Sequence, residues 1–423
     1  MEYQRRIVDD ELDELFPEIA AISLDGPKAV GKTTTAEQRV RAVVRLDESE
    51  HQTLVRASPS MILDYPRPTL VDEWQRVPEV WDRIRRAIDH DPKGGQFLLA
   101  GSASPHPGSV THSGAGRIGR MRMRPMTLAE RGVEEPTVSL RALLSGTRPE
   151  LRGSTDVGLK QYAEEIVASG FPGIRGFGPR GRRFHLDSYI ATTVEKEIAT
   201  SAAPVKRPQA MTAWLRAYAA AESTTASYTR ILDAATPGQT DKPSRGAADA
   251  YRDALTALWL LDPLPAWVPV GSALNRLAAK PKHHLADPAL SARLLGLDSR
   301  ALLTGAGRVM NPGAGVALGA LFEALATLSV RVSAQADEAG AGHLRTRNGD
   351  HEVDLIVERA DGAVVACEVK LASSVQDSDT KHLHWLKKTI GDRLLDAIVI
   401  NTGPRAYRRP DGIGVVPLAL LGV

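Results

Sequence analysis

Residues 26–33 read GPKAVGKT, which fits the pattern Gly, four residues, Gly-Lys-Thr at every fixed position. The pattern is a demanding one. Its backbone N–H groups converge on phosphate oxygens when a strand delivers the loop and a helix leaves it, and the helix N-terminus adds positive potential. Both flanks are present: AAISL (20–24) reads as a strand and TTAEQRVRAV (34–43) as a helix. The candidate nucleotide-binding residues are therefore Gly26, Pro27, Lys28, Ala29, Val30, Gly31, Lys32, Thr33 and Thr34. Lys32 is placed to reach the β- and γ-phosphates, and the Thr33 hydroxyl to ligate magnesium. The expected cofactors are ATP and Mg2+.

Hydrolysis also needs an acidic strand end. In TLVDEWQ (69–75), Leu70 and Val71 complete a strand and Asp72 and Glu73 follow at its tip. Asp72 is the expected magnesium-side carboxylate and Glu73 the base or water-orienting group. QFLLAGSAS (96–104) reads as a third strand that ends in small polar residues. Beyond it, Arg117, Arg120, Arg122 and Arg124 alternate with small or apolar residues, and the alternation from Arg120 to Arg124 suits a strand with one charged face. One of them could meet phosphate charge, in cis or across a subunit boundary, and Arg117 beside Gly116 is the first choice among them, although a solvated basic edge strand accounts better for any single arginine.

A chain of 423 residues suggests two to four domains. The net charge of +2 argues neither for nor against nucleic acid. The single cysteine, Cys367, excludes an intramolecular disulfide and a cysteine-based zinc site. The N-terminal MEYQRRIVDDELDELF is too polar for a signal peptide, and no uninterrupted apolar run reaches membrane-spanning length, so a cytoplasmic protein is expected.

The ordered set of motifs resembles a known family. GPKAVGKT, LVDEWQRVPEVWDRIRRAID (70–89), FLLAGSAS and GAGRIGRMRMRPMTLAERG look like the bacterial and archaeal AAA-type ATPases that carry a C-terminal domain of unknown function. The likeness continues through SGFPGIR (169–175), FHLDSYI (184–190), PKHHLADPALSARLLG (281–296), EVDLIV and CEVK, and so covers nearly the whole chain. Ala100 departs from it, where a threonine is expected before Gly-Ser. The resemblance places Ser102 at the sensor position, against the γ-phosphate or the attacking water.

Residues 134–156 mix Pro, Gly, Ser and Thr and read as a connection between domains. Helices are expected over 157–171 and 184–200, with a Gly/Arg-rich loop, IRGFGPRGRR (174–183), between them. Two helices over 210–236, a third from about Ser244 to Leu261 and the extended PLPAWVP follow the winged-helix pattern, which the resemblance also implies. Such modules often read DNA with the third helix. Here Arg245 and Arg252 are offset by Asp249 and Asp253, so packing and DNA binding stay equally open. His283, His284 and Asp287 fit no strong ligand spacing, and Asp287-Pro288 reads better as a helix start.

The C-terminal part carries a second chemical pattern. EVDLIVER (352–359) and AVVACEVKLA (363–372) read as strands joined by an Asp-Gly turn. Asp354 lies on the first, and Glu368 and Lys370 share one face of the second. Glu323 lies on the helix GALFEALATLSVRV (319–332). A helix Glu, a strand Asp and then Glu-x-Lys is the order of restriction-endonuclease-like folds. There Glu323, Asp354 and Glu368 gather magnesium, and Lys370 stabilises phosphorane charge or orients water. A fold can keep such positions and still serve only for binding.

The expected architecture is α/β. An AAA-type P-loop NTPase domain (1–135) is followed by a helical connection (136–200), a winged-helix-like module (201–300) and a restriction-endonuclease-like α/β domain (301–423). The expected function is a Mg-dependent ATPase coupled to a DNA-processing, nuclease-type domain. The alternative is an ATP-dependent switch that binds DNA or a protein partner, as in a toxin or defence system, without cutting. An arginine acting in trans would require a homo-oligomer.

Overall fold

The structure is a computed structural model that describes residues 3–102, 114–197, 208–236, 244–268, 280–304 and 314–423. Ala103 and Ser104 of the third expected strand, residues 198–200 of the second expected helix and Pro269 of the extended segment lie outside the described residues. The chain divides into two compact units. One is Met1–Arg124 with Glu195–Val205 and Ala250–Leu260. The other is Pro125–Val194, Lys206–Asp249 and Leu261–Val423.

The first unit begins with helix α1 (Ile7–Leu15) and alternates strand and helix. Strands β1 (Ala21–Asp25), β2 (Ala42–Arg45), β3 (Thr69–Asp72), β4 (Phe97–Gly101) and β5 (Ile118–Arg122) form one parallel sheet in the order β2-β3-β4-β1-β5. Helices α2 (Lys32–Glu37), α3 (Ser49–Ala57) and α4 (Glu79–His90) connect them. β1, β3 and β4 are buried along their length, as strands covered on both faces must be, so they read as apolar runs. Parallel pairing aligns their carboxyl ends: Asp25 is level with Gly101, and Asp72 with Ala100. α2 is shorter than the helix expected over 34–43, because the β-branched pair Val43-Val44 pairs into β2.

The second unit carries a six-stranded mixed sheet. Before it lie β6 (Val138–Ser139), α5 (Leu140–Leu144), α6 (Leu159–Ala168), α7 (Pro172–Arg175), α8 (Pro179–Thr192), α9 (Pro208–Ala220), α10 (Tyr228–Ala235), α11 (Arg245–Ala257, which crosses the division between units), α12 (Pro288–Leu294), α13 (Ser299–Thr304) and α14 (Ala314–Ala336). The sheet comprises β7 (Gly340–Arg345), β8 (Glu352–Glu358), β9 (Val364–Val369), β10 (Leu394–Asn401), β11 (Tyr407–Arg408) and β12 (Gly414–Pro417), ordered β11-β12-β10-β9-β8-β7. Helix α15 (Asp377–Ile390) precedes β10, and a last strand β13 (Leu421–Gly422) pairs with β6. β8 and β9 form the expected hairpin. Gly362 takes the left-handed φ of +80° that its turn requires.

Three expectations change. The segment 134–156 packs inside the second unit: Leu140 and Leu143 are fully buried in its core, and Ala406 N–H donates to the Gly153 carbonyl. The Gly/Arg-rich 174–183 is mostly helical, since Pro179 sits in the first turn of α8, where a missing N–H costs nothing. Boundaries at 135, 200 and 300 do not divide the packing. One core joins Val138, Tyr162, Ala292, Phe322, Val365 and Ile398. α14 is the one described helix long and apolar enough to cross a membrane, and Phe322, Leu325 and Val330 bury it in that core.

After α9–α11 the chain runs extended. Leu264 and Lys282 exchange both backbone hydrogen bonds at 2.9 Å, and Leu261 bridges Leu285 antiparallel. Ser223 N–H donates to the His283 carbonyl, and His283 N–H to the Thr224 carbonyl, which adds a third extended piece. Trp267 and His343 bring this ribbon to β7.

Candidate nucleotide site and a buried charge cluster

The nucleotide loop leaves β1 at Asp25 and enters α2 at Lys32. Two glycines are required for steric reasons. A Cβ on Gly26 would lie 2.2 Å from the Met123 carbonyl oxygen, and Gly31 holds φ +108°. Lys32 is buried, and its Nζ donates to the Gly26 and Pro27 carbonyls at 2.8 Å each. Burial pulls its pKa down to about 8, partly offset by Glu73, Asp72 and Asp25.

Thr33 Oγ1 lies 3.0 Å from both Asp72 carboxylate oxygens. Burial raises the Asp72 pKa to about 6. These are hard oxygen donors, which magnesium prefers. Their separation is close to the ~2.9 Å edge of an octahedron with metal–oxygen distances of about 2.0–2.1 Å. The residues fit the ion. Glu73, at φ +51°, projects from the strand tip, and its Oε2 accepts from Ser102 Oγ at 2.9 Å. Gln75 Nε2 donates to the same carboxylate and reaches Ser102 Oγ at 3.3 Å. The structure therefore gathers Lys32, Thr33, Asp72, Glu73 and Ser102 at one sheet edge, and adds Gln75.

Arg117 does not join them. It precedes β5 at the opposite, amino end of the strands and pairs with Asp89 at 2.9 Å. Arg120 comes nearer the loop through a 2.6 Å ion pair with Asp25, whose own pKa is raised by burial. The Arg122 guanidinium lies 4.7 Å from the Trp259 ring centroid.

Sequence reasoning also missed α1. Arg6 is buried and donates to the Val30 carbonyl at 3.1 Å and to the Arg124 carbonyl at 2.9 Å. Asp9, fully buried, accepts from Arg6 N–H and pairs with Arg39, which donates to the Thr35 carbonyl. Tyr3 Oη lies 3.0 Å from Thr35 Oγ1. The available signal was slight: Asp9, three residues after Arg6, accepts the Arg6 N–H and so caps the helix start from one side only. Arg6→Ala is expected to weaken ATP binding about tenfold and to cost the first unit ~1–3 kcal/mol, because it strips a charged donor from the buried Val30 carbonyl and the half-buried Arg124 carbonyl. Equilibrium titration with a non-hydrolysable ATP analogue checks this, and affinity unchanged within twofold would refute it.

In the second unit, Glu323, Asp354, Glu368 and Lys370 do come together. Lys370 Nζ donates to Glu368 Oε2 at 2.9 Å, and Asp354 Oδ2 accepts Val369 N–H at 3.0 Å. A residue that sequence reasoning passed over sits among them. Lys282, 1 % exposed, places its Nζ 2.8 Å from Glu323 Oε1, 2.8 Å from Asp354 Oδ1 and 3.2 Å from Glu352 Oε1. These carboxylates hold the Lys282 pKa well above the ordinary lysine value, against burial. Burial and then Asp354 push Glu323 and Glu368 up, while Lys282 draws Asp354 below the usual carboxylate range against burial. As folded, no group of three or more His, Cys, Asp or Glu among the described residues is set to hold a metal ion. The signal for Lys282 was only an alternating position in PKHHL, unreadable before its strand was paired.

His283 and His284 diverge. His283 Nε2 lies 2.7 Å from the Ala226 carbonyl oxygen, and His284 Nδ1 lies 2.9 Å from Glu222. Asp287 caps α12 through Ala289 N–H, as its Asp-Pro sequence predicts, and also accepts from Ser169 and Gly170.

Residues 19–131 match the family model of an AAA domain. Residues 159–301 and 318–421 match two domains of unknown function, DUF8612 and DUF4143. Over 379 residues the chain is 26% identical to an uncharacterized protein of Mycobacterium tuberculosis and to another of Mycobacterium bovis, covering 88% of this chain and 75% of each relative. The first unit therefore carries an AAA domain on a parallel sheet compatible with P-loop-type nucleotide binding. The charge cluster draws Lys282 from one matched region and Glu323, Glu352, Asp354, Glu368 and Lys370 from the other.

Proposed function

We propose that this chain is a Mg2+-dependent ATPase of the cytoplasm that acts as a nucleotide-controlled switch, its second unit engaging DNA or a protein partner without cutting. The observation that carries the ATPase reading is the Thr33–Asp72 contact at the foot of the loop, with Glu73 held by Ser102 one strand away. When bound, magnesium would be held by Thr33 and Asp72 and would neutralise phosphate charge. Lys32 would leave the Gly26 and Pro27 carbonyls for the phosphates. Glu73 orients or deprotonates the attacking water, and Ser102 and Gln75 fix its carboxylate. Loss of the γ-phosphate releases contacts around the loop, the general route to an order–disorder switch.

Binding without cleavage is favoured for the second unit because Lys282 already pairs with Glu323 and Asp354, and Lys370 with Glu368, the carboxylates that a nuclease would use for its metal. The winged-helix-like and restriction-endonuclease-like readings remain part of this proposal. The helix trio, the bridged extended segments and the Asp354–Glu368–Lys370 arrangement support them.

The test uses purified full-length protein with supercoiled plasmid, Mg2+ or Mn2+, and ATP. Phosphate release that requires Mg2+ while the plasmid stays intact is the expected result. Strand breaks lost in Asp354→Ala would replace the non-cutting reading with a nuclease. Absence of Mg2+-dependent turnover would sink the ATPase reading.

A further inference from the structure

We propose that the corner between α7 and α8 is a platform for single-stranded nucleic acid, on which Phe177 and Phe184 stack with bases while Arg180 and Arg183 meet the phosphates. The corner is firmly built. Arg182 Nε donates to the Arg175 carbonyl at 3.1 Å, and the Arg175 guanidinium holds both Glu165 oxygens, at 2.7 and 3.0 Å. A Cβ on Gly181 would lie 2.9 Å from Phe177 Cβ, so glycine there lets Phe177 lie down on α8. One turn further along, His185 stacks on the Phe177 ring, with 4.2 Å between centroids and 24° between planes. Phe184 stands edge-on to the same imidazole, at 5.8 Å and 82°. Both phenyl rings remain in water: Phe177 is 45 % exposed and Phe184 67 %.

Charge points the same way. Arg180 precedes Phe184 by four residues, on the same face of α8, and Arg183 is its chain neighbour. Both arginines are exposed, and neither forms an ion pair with a described residue. Asp187 is the one acidic residue in 173–189, and Arg293 pairs with it at 2.6 Å. A lone exposed phenylalanine needs no explanation. Two on one corner, one of them seated on a glycine and an imidazole, beside arginines that lack a counter-charge, match what a single strand offers: flat bases with free faces, strung on phosphates. Guanidinium groups suit phosphate oxygens in particular. A duplex keeps its base faces inside the stack, out of reach of both rings. A membrane is disfavoured because the apolar residues of α8, Leu186 and Ile190, are buried and leave no apolar stripe outside. This inference gives a surface to the nucleic-acid arm of the proposed function and rests on that arm.

The experiment measures fluorescence anisotropy of labelled oligo-deoxythymidine and oligo-uridine, each about 20 nucleotides long, and of a DNA duplex of that length, against the full chain at several salt concentrations. Wild type is expected to bind at least one single strand, and to bind it more tightly than the duplex. Phe184→Ala should weaken that binding at least about fivefold. Phe184→Trp should retain it, and Phe184→Leu should not, since leucine keeps apolar area but has no flat face. Arg180→Gln/Arg183→Gln should flatten the plot of log affinity against log salt by about 1–1.5. Unfolding midpoints within about 2 °C of wild type show that these surface variants are folded. Single-strand binding that none of the variants changes overturns this surface and leaves the nucleic-acid arm standing elsewhere in the second unit. No binding to either single strand overturns both. Duplex binding as tight as single-strand binding, full binding by Phe184→Leu, or binding to phosphatidylserine vesicles that Phe184→Ala abolishes while oligonucleotide binding persists, also overturns the platform.

Discussion

Lys32→Ala is expected to lower ATP turnover (kcat/KM) by at least about 10²–10³-fold, with nucleotide affinity falling alongside. Lys32 is the buried cation at the mouth of the loop, and its Nζ donates to two backbone carbonyls, which it can exchange for phosphate oxygens. Glu73→Gln should separate binding from chemistry. The amide keeps the side chain's size and its place beside Ser102 but cannot accept a proton from water. Turnover should drop about 10²-fold or more, while analogue affinity stays within about threefold. Phosphate-release kinetics and equilibrium binding on the two variants decide the matter. Equal loss of binding in both would place Glu73 in a structural role, and near-normal turnover in Lys32→Ala would remove the loop from the mechanism.

Much of the geometry of the candidate nucleotide site was legible because the pattern is local. Gly26, Gly31, Lys32 and Thr33 lie within eight residues, and the requirement for glycine there is a backbone property. Asp72 and Glu73 were readable because a parallel strand must end where its neighbours end. Arg117 precedes β5 at the amino end of the sheet, away from the loop of its own chain. Alternation gives the face of β5 but not its register against β1, and only the pairing of Ala21 with Ile118 sets that. Arg6 was missed because its value lies in two carbonyls, 24 and 118 residues away, and backbone acceptors leave no trace in sequence. In the second unit, the hairpin and its Asp354–Glu368 pair followed from period and spacing. Lys282 did not. It arrives from a segment 41 residues before Glu323, through a pairing with Leu264 that has little periodic signal. A lysine between two histidines and a proline reads as surface until that partner is known.

Lys282→Ala is expected to destabilise the second unit by about 3–5 kcal/mol, a fall of roughly 10 °C in its unfolding midpoint, because it leaves the buried Glu323 and Asp354 without the ammonium that pairs with both. The loss should depend on pH in a defined direction. In wild type the Lys282 pKa is held above its ordinary value, so its contribution is fully present throughout pH 5–8 and fades only as pH rises toward that folded value. Asp354 is held low, so its contribution is present above the ordinary carboxylate range and is lost as pH falls below it. Removing the ammonium drives Glu323 and Asp354 upward. A carboxyl group with a raised folded pKa costs stability as pH rises from its unfolded value to its folded one. The deficit of Lys282→Ala against wild type should therefore be largest near pH 8 and shrink toward pH 5, measured by denaturant unfolding across that range. Asp354→Asn tests the same geometry from the other side. If the two groups stabilise each other, the double variant should lose less than the sum of the single losses, by 1 kcal/mol or more on the scale of ~0.5–3 kcal/mol found for contacting pairs. Additive losses, or a deficit that does not change with pH, would mean that Lys282 fills space in the core and does not neutralise these carboxylates.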